Sequence, residues 1–108
     1  MADIPSAIKN LVSSSDIKEL EQQLKDIAKG INADTAEKYG QKILAVLEQR
    51  ALGEYSAEQT ERLIDKYKTA LLYAYQGELL AAERKAIKTF FTFLRNIFLK
   101  ILEAALAN

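Results

Sequence analysis

The sequence predicts an all-α fold, a small bundle of four or five helices in a single helical domain that spans residues 1–108. Three observations lead to this fold class. Apolar residues recur every three or four positions along most of the chain, which places them on one face of a helix. Candidate helix caps and dispersed glycines divide the chain into segments of helical length. No segment shows the two-residue alternation that is typical of a strand.

The N-terminal part of the chain predicts two helices. A short helix is expected from about Asp3 to Val12, with Pro5 in its first turn, where the amide proton that proline lacks would be unpaired anyway. The second helix is predicted to begin at Asp16, which with Glu19 forms a candidate capping box, and to end at Gly30. Its apolar stripe consists of Ile17, Leu20, Leu24, Ile27 and Ile31.

A third helix is predicted in the middle of the chain. Asp34 and Glu37 repeat the capping-box spacing, and Gly53 provides a stop. Gly40 lies inside this helix at a cost of about 1 kcal/mol relative to alanine, and we interpret it as a close helix contact. The residues predicted to face the core are Tyr39, Ile43, Val46 and Leu47.

The C-terminal half predicts either one very long helix or a pair of helices. Ser56 and Gln59 form a third candidate capping box, and no proline follows them. A continuous helix over about 57–107 would be kinked or straight and roughly 75 Å long. A break at Gly77 would instead give a hairpin and a compact five-helix domain, which the usual lengths of helices favour.

Composition argues against most catalytic and metal chemistry. The chain has no histidine and no cysteine, so the common acid–base groups, thiol nucleophiles and soft metal ligands are absent from it. Its four glycines are dispersed, so no phosphate-binding glycine-rich loop is predicted. We therefore expect a protein that is not an enzyme, with no cofactor, no metal and no small-molecule substrate.

Charge is distributed unevenly, although fifteen basic and fifteen acidic residues cancel. Residues 1–83 hold ten Lys and Arg against fourteen Asp and Glu, whereas residues 84–108 hold five against one. All four phenylalanines also fall in this basic segment. At 100° per residue the segment forms an amphipathic helix, in which Phe93 lies at the boundary and Leu99 and Leu106 fall within the polar half. The apolar surface therefore exceeds what one packing face requires.

This excess predicts a partner-binding helix. The candidate interaction residues are Phe90, Phe91, Phe93, Leu94, Ile97, Phe98, Leu99, Ile101, Leu102 and Leu106. The candidate basic face consists of Arg84, Lys85, Lys88, Arg95 and Lys100. The preferred function is a non-catalytic interaction or assembly module, acting by self-association or by docking on a larger complex such as a viral or phage structure.

Two other partner classes are weighed against a protein. A membrane surface, in an interfacial or pore-related protein, could receive the same basic amphipathic helix, whereas nucleic acid is disfavoured because the basic patch is small. Arg95 and Lys100 interrupt the apolar stretch, so a transmembrane span is not predicted. The N-terminus lacks the pattern of a signal peptide, and a cytoplasmic or virion-associated location is expected.

Overall fold

A computed structural model of the chain shows an all-α bundle and describes residues 3–74, 77 and 79–107. The helices are α1 (Ser6–Lys9), α2 (Ser14–Gly30), α3 (Ala33–Ala51), α4 (Ala57–Ala74), α5 (Ala81–Phe93) and α6 (Leu99–Ala107). A π-helical turn, Leu94–Phe98, joins α5 to α6. These three pieces form one C-terminal helix of 27 residues. The predicted fold class is therefore confirmed.

The long C-terminal segment breaks, as the hairpin alternative predicted. α4 ends at Ala74 and α5 begins at Ala81, and Gly77 between them has a φ angle of 84°. A residue with a side chain rarely adopts this left-handed conformation, which explains why a glycine stands at the turn. The break folds α5 back against α4, so the apolar stripes of both helices share a single core.

Helix α1 is shorter than the predicted helix. It covers Ser6–Lys9 and begins after Pro5, whose ψ angle of 146° is extended. Beyond Asn10 the chain makes one last turn, in which the Leu11 and Val12 amides both donate to the Ile8 carbonyl at 3.1 Å. Ile4 and Val12 lie outside the helix but are buried, together with Ile8. The apolar spacing therefore identified the residues that enter the core but overestimated the extent of the helix.

Only one of the three predicted capping boxes is correct. The Ser56 amide donates to Gln59 Oε1 at 2.9 Å and the Gln59 amide donates to Ser56 Oγ at 3.1 Å, as predicted. At α2 the cap is instead Ser13, whose hydroxyl oxygen accepts from the Asp16 amide at 3.3 Å. At α3 the cap is Asn32, whose Oδ1 accepts from the amides of Asp34 and Thr35. Serine and asparagine caps stand two or three residues before the predicted acidic ones, which fall in the first turns.

The core is built from α2, α3, α4 and the C-terminal helix around fully buried side chains. Leu20, Leu47, Ile87, Phe98 and Leu102 each have at most 1% of their surface exposed. α2 packs on α3 and on α5, while α4 packs on α3 and on α5. The C-terminal helix therefore touches both neighbours with one side and leaves its other side at the surface.

Gly40 is buried in α3 against Leu24 of α2, and an alanine there should stabilise the protein. A Cβ at this position would lie 3.5 Å from Leu24 Cδ2, which is an ordinary van der Waals contact. Gly40→Ala therefore gains helix propensity without a clash, and we expect the free energy of unfolding to rise by about 1 kcal/mol. Urea unfolding followed by circular dichroism measures it. A loss of stability would show that the helices require a closer approach than this distance indicates.

Candidate partner-binding surface

Most of the ten apolar residues predicted to bind a partner lie in the core. Seven of them are less than 8% exposed, namely Phe90, Phe91, Phe93, Leu94, Phe98, Leu99 and Leu102. Ile101 and Leu106 are partly buried against the same cluster. Among the ten, Ile97 differs, because 51% of its surface is exposed. The apolar side of the C-terminal helix is therefore occupied by the chain's own bundle.

The π-helical turn explains why the helical wheel misplaced several side chains. Leu99 was predicted in the polar half but is buried, whereas Ile97 was predicted on the apolar side and is exposed. Phe93, predicted at the boundary, comes before the turn and is buried on the core side of that boundary. A π turn closes hydrogen bonds from residue i to i+5 and so holds one residue more than an α turn. Because of that extra residue, every side chain after the turn is rotated about the helix axis relative to its position in a continuous α-helix. Phe93 and Leu99 are buried, so the inference that they add apolar surface beyond the packing face is wrong.

The basic residues lie on the opposite side, as the pattern predicted. Arg84, Lys85, Lys88, Arg95 and Lys100 are all exposed. Arg95 Nη1 lies 3.4 Å from Asp65 Oδ2 of α4, so this cation is partly neutralised. The other four form no ion pair within the described residues. Within the described residues, the helix therefore presents unpaired positive charge at the surface.

A groove with a volume of about 710 Å³ runs between α2 and the C-terminal helix, and we name it the α2–α5 groove. Three cations, Arg84, Lys85 and Lys88, line it from α5, with Thr89 and Thr92 beside them. Phe93 and Ile97 add apolar surface, and Glu19 and Gln23 line it from α2. This lining combines positive, apolar and negative groups in one depression.

The two ends of the α2–α5 groove differ in charge because α2 and α5 are antiparallel. A Cβ on Gly30, the last residue of α2, would lie 3.8 Å from Ala86 Cβ and 3.9 Å from Glu83 Cα, near the start of α5. Glu19 precedes Gly30 by eleven residues, or about 16 Å of helix, and therefore lies toward Ile97. One end of the groove is cationic, and the other is apolar with a single carboxylate.

The π turn shapes the surface as well as the core. Between the buried Leu94 and Phe98 it exposes three successive residues, Arg95, Asn96 and Ile97. Ile97 lines the α2–α5 groove, while Arg95 and Asn96 line a second groove against Asp65 and Lys68 of α4. Lys88 and Thr92 line both grooves and form the ridge that separates them. π turns are frequent at functional sites, which makes this surface the leading candidate.

An ion pair between the end of α3 and the middle of α6 was not predicted from the sequence. Arg50, in the last turn of α3, donates from Nε and Nη2 to the two carboxylate oxygens of Glu103 in α6. Its Nη1 also donates to the Tyr55 carbonyl at 3.0 Å. The hydrogen bonds from Arg50 hold the pKa of Glu103 below its ordinary value. The pair is polar and partly buried, yet it belongs to the bundle's framework rather than to either groove.

The described residues contain neither a metal cluster nor a membrane-spanning helix. Among residues 3–74, 77 and 79–107, no group of three or more Asp and Glu side chains is arranged to hold a metal ion. Within the same ranges, no helix has both the length and the hydropathy needed to cross a bilayer. Comparison of the chain with protein-family models, with curated proteins and with solved structures gives no match.

Proposed function

We propose that this protein is a non-catalytic helical interaction module that binds an acidic segment of a partner protein along the α2–α5 groove. The observation that carries the proposal is the row of unpaired cations, Arg84, Lys85 and Lys88, beside an exposed apolar residue in a single groove. The bound segment belongs either to a second copy of the chain or to a larger complex. A cytoplasmic or virion-associated assembly is the setting expected from the sequence.

A protein partner suits the lining of the groove better than nucleic acid does. A polyanion carries its charge uniformly and would be repelled by Glu19, whereas an acidic protein segment can place an uncharged or basic group there. Ile97 offers apolar contact area, which a charged phosphate backbone cannot pack against favourably. Mixed groups of this kind are typical of protein interfaces, in which a small apolar centre is surrounded by polar residues.

An interfacial membrane helix is the weaker alternative for a structural reason. Such a helix sinks its apolar half into the lipid, but here that half fills the core through Phe90, Leu94 and Phe98. Membrane binding in this mode would require the C-terminal helix to leave the bundle and expose those side chains. The basic face alone supplies only electrostatic attraction to anionic lipid.

Reversing charges in the groove tests the proposal. The double variant Arg84→Glu with Lys88→Glu places two acids one helical turn apart beside the groove, and we expect binding of a labelled glutamate-rich peptide to weaken at least tenfold. The matched control is Arg62→Glu with Lys66→Glu, which has the same residue types and spacing on the exposed side of α4. We expect the control to change affinity less than twofold. Fluorescence anisotropy at low and moderate salt gives both affinities.

Three results would contradict the proposal. The first is a glutamate-rich peptide that binds no better than a neutral peptide of equal length. The second is an equal loss of affinity in the two double variants, which would reflect net charge rather than the groove. The third is tighter binding of duplex DNA or of phosphatidylserine vesicles than of any acidic peptide.

A further inference from the structure

We infer that the segment bound in the α2–α5 groove is an amphipathic α-helix of about 16 residues, with carboxylates toward one end of its contact face and apolar side chains toward the other. The inference rests on the proposed function and specifies the partner's conformation. It follows from three properties of the groove: its length, the absence of exposed backbone to pair with, and its charge gradient.

The length of the groove fits one helix of ordinary size. Its lining extends along the C-terminal helix from Ala81 to Ile97, while α2 lines one end of it through Glu19 and Gln23. Sixteen residues at 1.5 Å each give about 24 Å, so a partner helix of about 16 residues covers the groove from end to end. A third helix can lie between α2 and α5 in this way, as helices do in bundles.

The walls of the groove favour a helix over an extended segment. Both walls are α-helices, whose backbone N–H and C=O groups are already paired within each helix. An extended segment in contact with Ile97 would lack partners for its own backbone groups, whereas a helix satisfies them internally. Extended peptides usually bind by adding a strand to a sheet edge, and the described part of this chain has no strand.

The charge gradient determines how polar and apolar residues are arranged on the partner. Arg84 and Lys85 lie four and three positions before Lys88, so carboxylates spaced by three or four residues on a partner helix can face these cations together. At the far end, Ile97 offers apolar contact, with the mostly buried Phe93 beneath it, and Glu19 disfavours another acid. A partner that is acidic along its whole face therefore fits less well than one with leucines opposite Ile97.

Three synthetic peptides of 18 residues and identical composition separate conformation from charge. The first places its glutamates and leucines at opposite ends of one helical face. The second distributes the same residues around the helix, and the third keeps the first order but with D-amino acids at two positions that prevent helix formation. We expect the first to bind at least tenfold more tightly than the others and to gain helical circular dichroism on binding.

Ile97→Ser supplies a test on the protein's own side. This substitution should weaken binding of the first peptide about fivefold and leave the second unchanged, because only the first places leucines against Ile97. The matched control is Leu52→Ser, since Leu52 is 59% exposed but lies at the end of α3 and outside the groove. The Leu52 variant should bind every peptide as the unmodified protein does.

The outcomes separate the inference from the proposed function. If all three peptides bind equally and all lose affinity in the Arg84→Glu, Lys88→Glu variant, the helical partner is wrong while acidic binding in the groove stands. If no peptide binds, both are wrong. Binding of the first peptide without a gain in helical signal also overturns the inference.

Discussion

Deleting Asn96 should leave the bundle folded, whereas deleting Thr89 should unfold it, although both residues are exposed on the same helix. The difference depends on the π turn. Up to the first residue of the turn, the side chains that face the core are those of Ile87, Phe90, Phe91 and Leu94. From its last residue onward, they are those of Phe98, Leu99 and Leu102. When one residue is removed from the turn, these two sets fall on a single α-helical stripe, at spacings of three and four.

The two deletions therefore act in opposite ways. Removing Asn96 converts the π turn into an ordinary α turn while residues on both sides keep their orientation, so we expect a change in unfolding free energy within about 1 kcal/mol. Removing Thr89 rotates the phenylalanines that follow it by about 100°. Each large side chain lost from a core costs about 3–5 kcal/mol, and several such losses exceed the stability of a typical domain.

Far-ultraviolet circular dichroism and chemical denaturation distinguish the two variants. We expect the Asn96 deletion to show a cooperative transition close to that of the full chain. The Thr89 deletion should show reduced helicity and no cooperative transition. Equal destabilisation by both deletions would show that the π turn does not set the register between α5 and α6.

The residues of the core were largely predictable, because helical spacing is a local property of the sequence. Ile17, Leu20, Leu24 and Ile27 of α2 are buried as their spacing predicts. The break near Gly77 was one of two alternatives, since a glycine tolerates both a helix and a left-handed turn. The caps were less predictable, because serine, asparagine and aspartate all cap helices and several stand close together before α2 and α3.

The candidate surface was predicted for its charges but not for its apolar residues. Arg84, Lys85 and Lys88 were recognised because they share one side of α5, which has regular α geometry throughout. The positions of Leu99 and Ile97 depend on an extra residue in the helix, and constant rotation per residue cannot reveal it. The α2–α5 groove itself depends on how two helices distant in sequence pack, which no local pattern contains.

The ion pair between Arg50 and Glu103 should contribute measurably to the stability of the folded protein. Its residues are 53 positions apart, and their side chains are 19% and 34% exposed. It joins the end of α3 to α6 and, through the Tyr55 carbonyl, fixes the loop before α4. Arg50 donates two charge-assisted hydrogen bonds to this partly buried carboxylate. We therefore expect Glu103→Gln to lower the free energy of unfolding by about 1–2 kcal/mol at pH 7.

The effect of Glu103→Gln should depend on pH in a defined direction. Arg50 holds the pKa of Glu103 in the folded protein below its ordinary value, through hydrogen bonding and charge. A lowered pKa means that the pair's contribution is present above the ordinary carboxyl pKa and is lost as pH falls through the folded-state pKa. The stability difference between the unmodified protein and Glu103→Gln should therefore be constant near neutral pH and shrink in acid.

Glu58→Gln is the matched control for this experiment. Glu58 pairs with Arg62 at 3.4 Å within α4, but the two side chains are 83% and 77% exposed, so water screens their attraction. We expect the free energy of unfolding of this variant to lie within about 0.5 kcal/mol of that of the unmodified protein, because exposed ion pairs one helical turn apart contribute little to stability. Urea unfolding of all three proteins between pH 3 and pH 8 gives the comparison. The difference in unfolding free energy between the unmodified protein and Glu103→Gln could instead stay constant down to pH 3. The substitution would then act through packing rather than through the loss of ionic hydrogen bonds, and Arg50 would not hold α6 through charge.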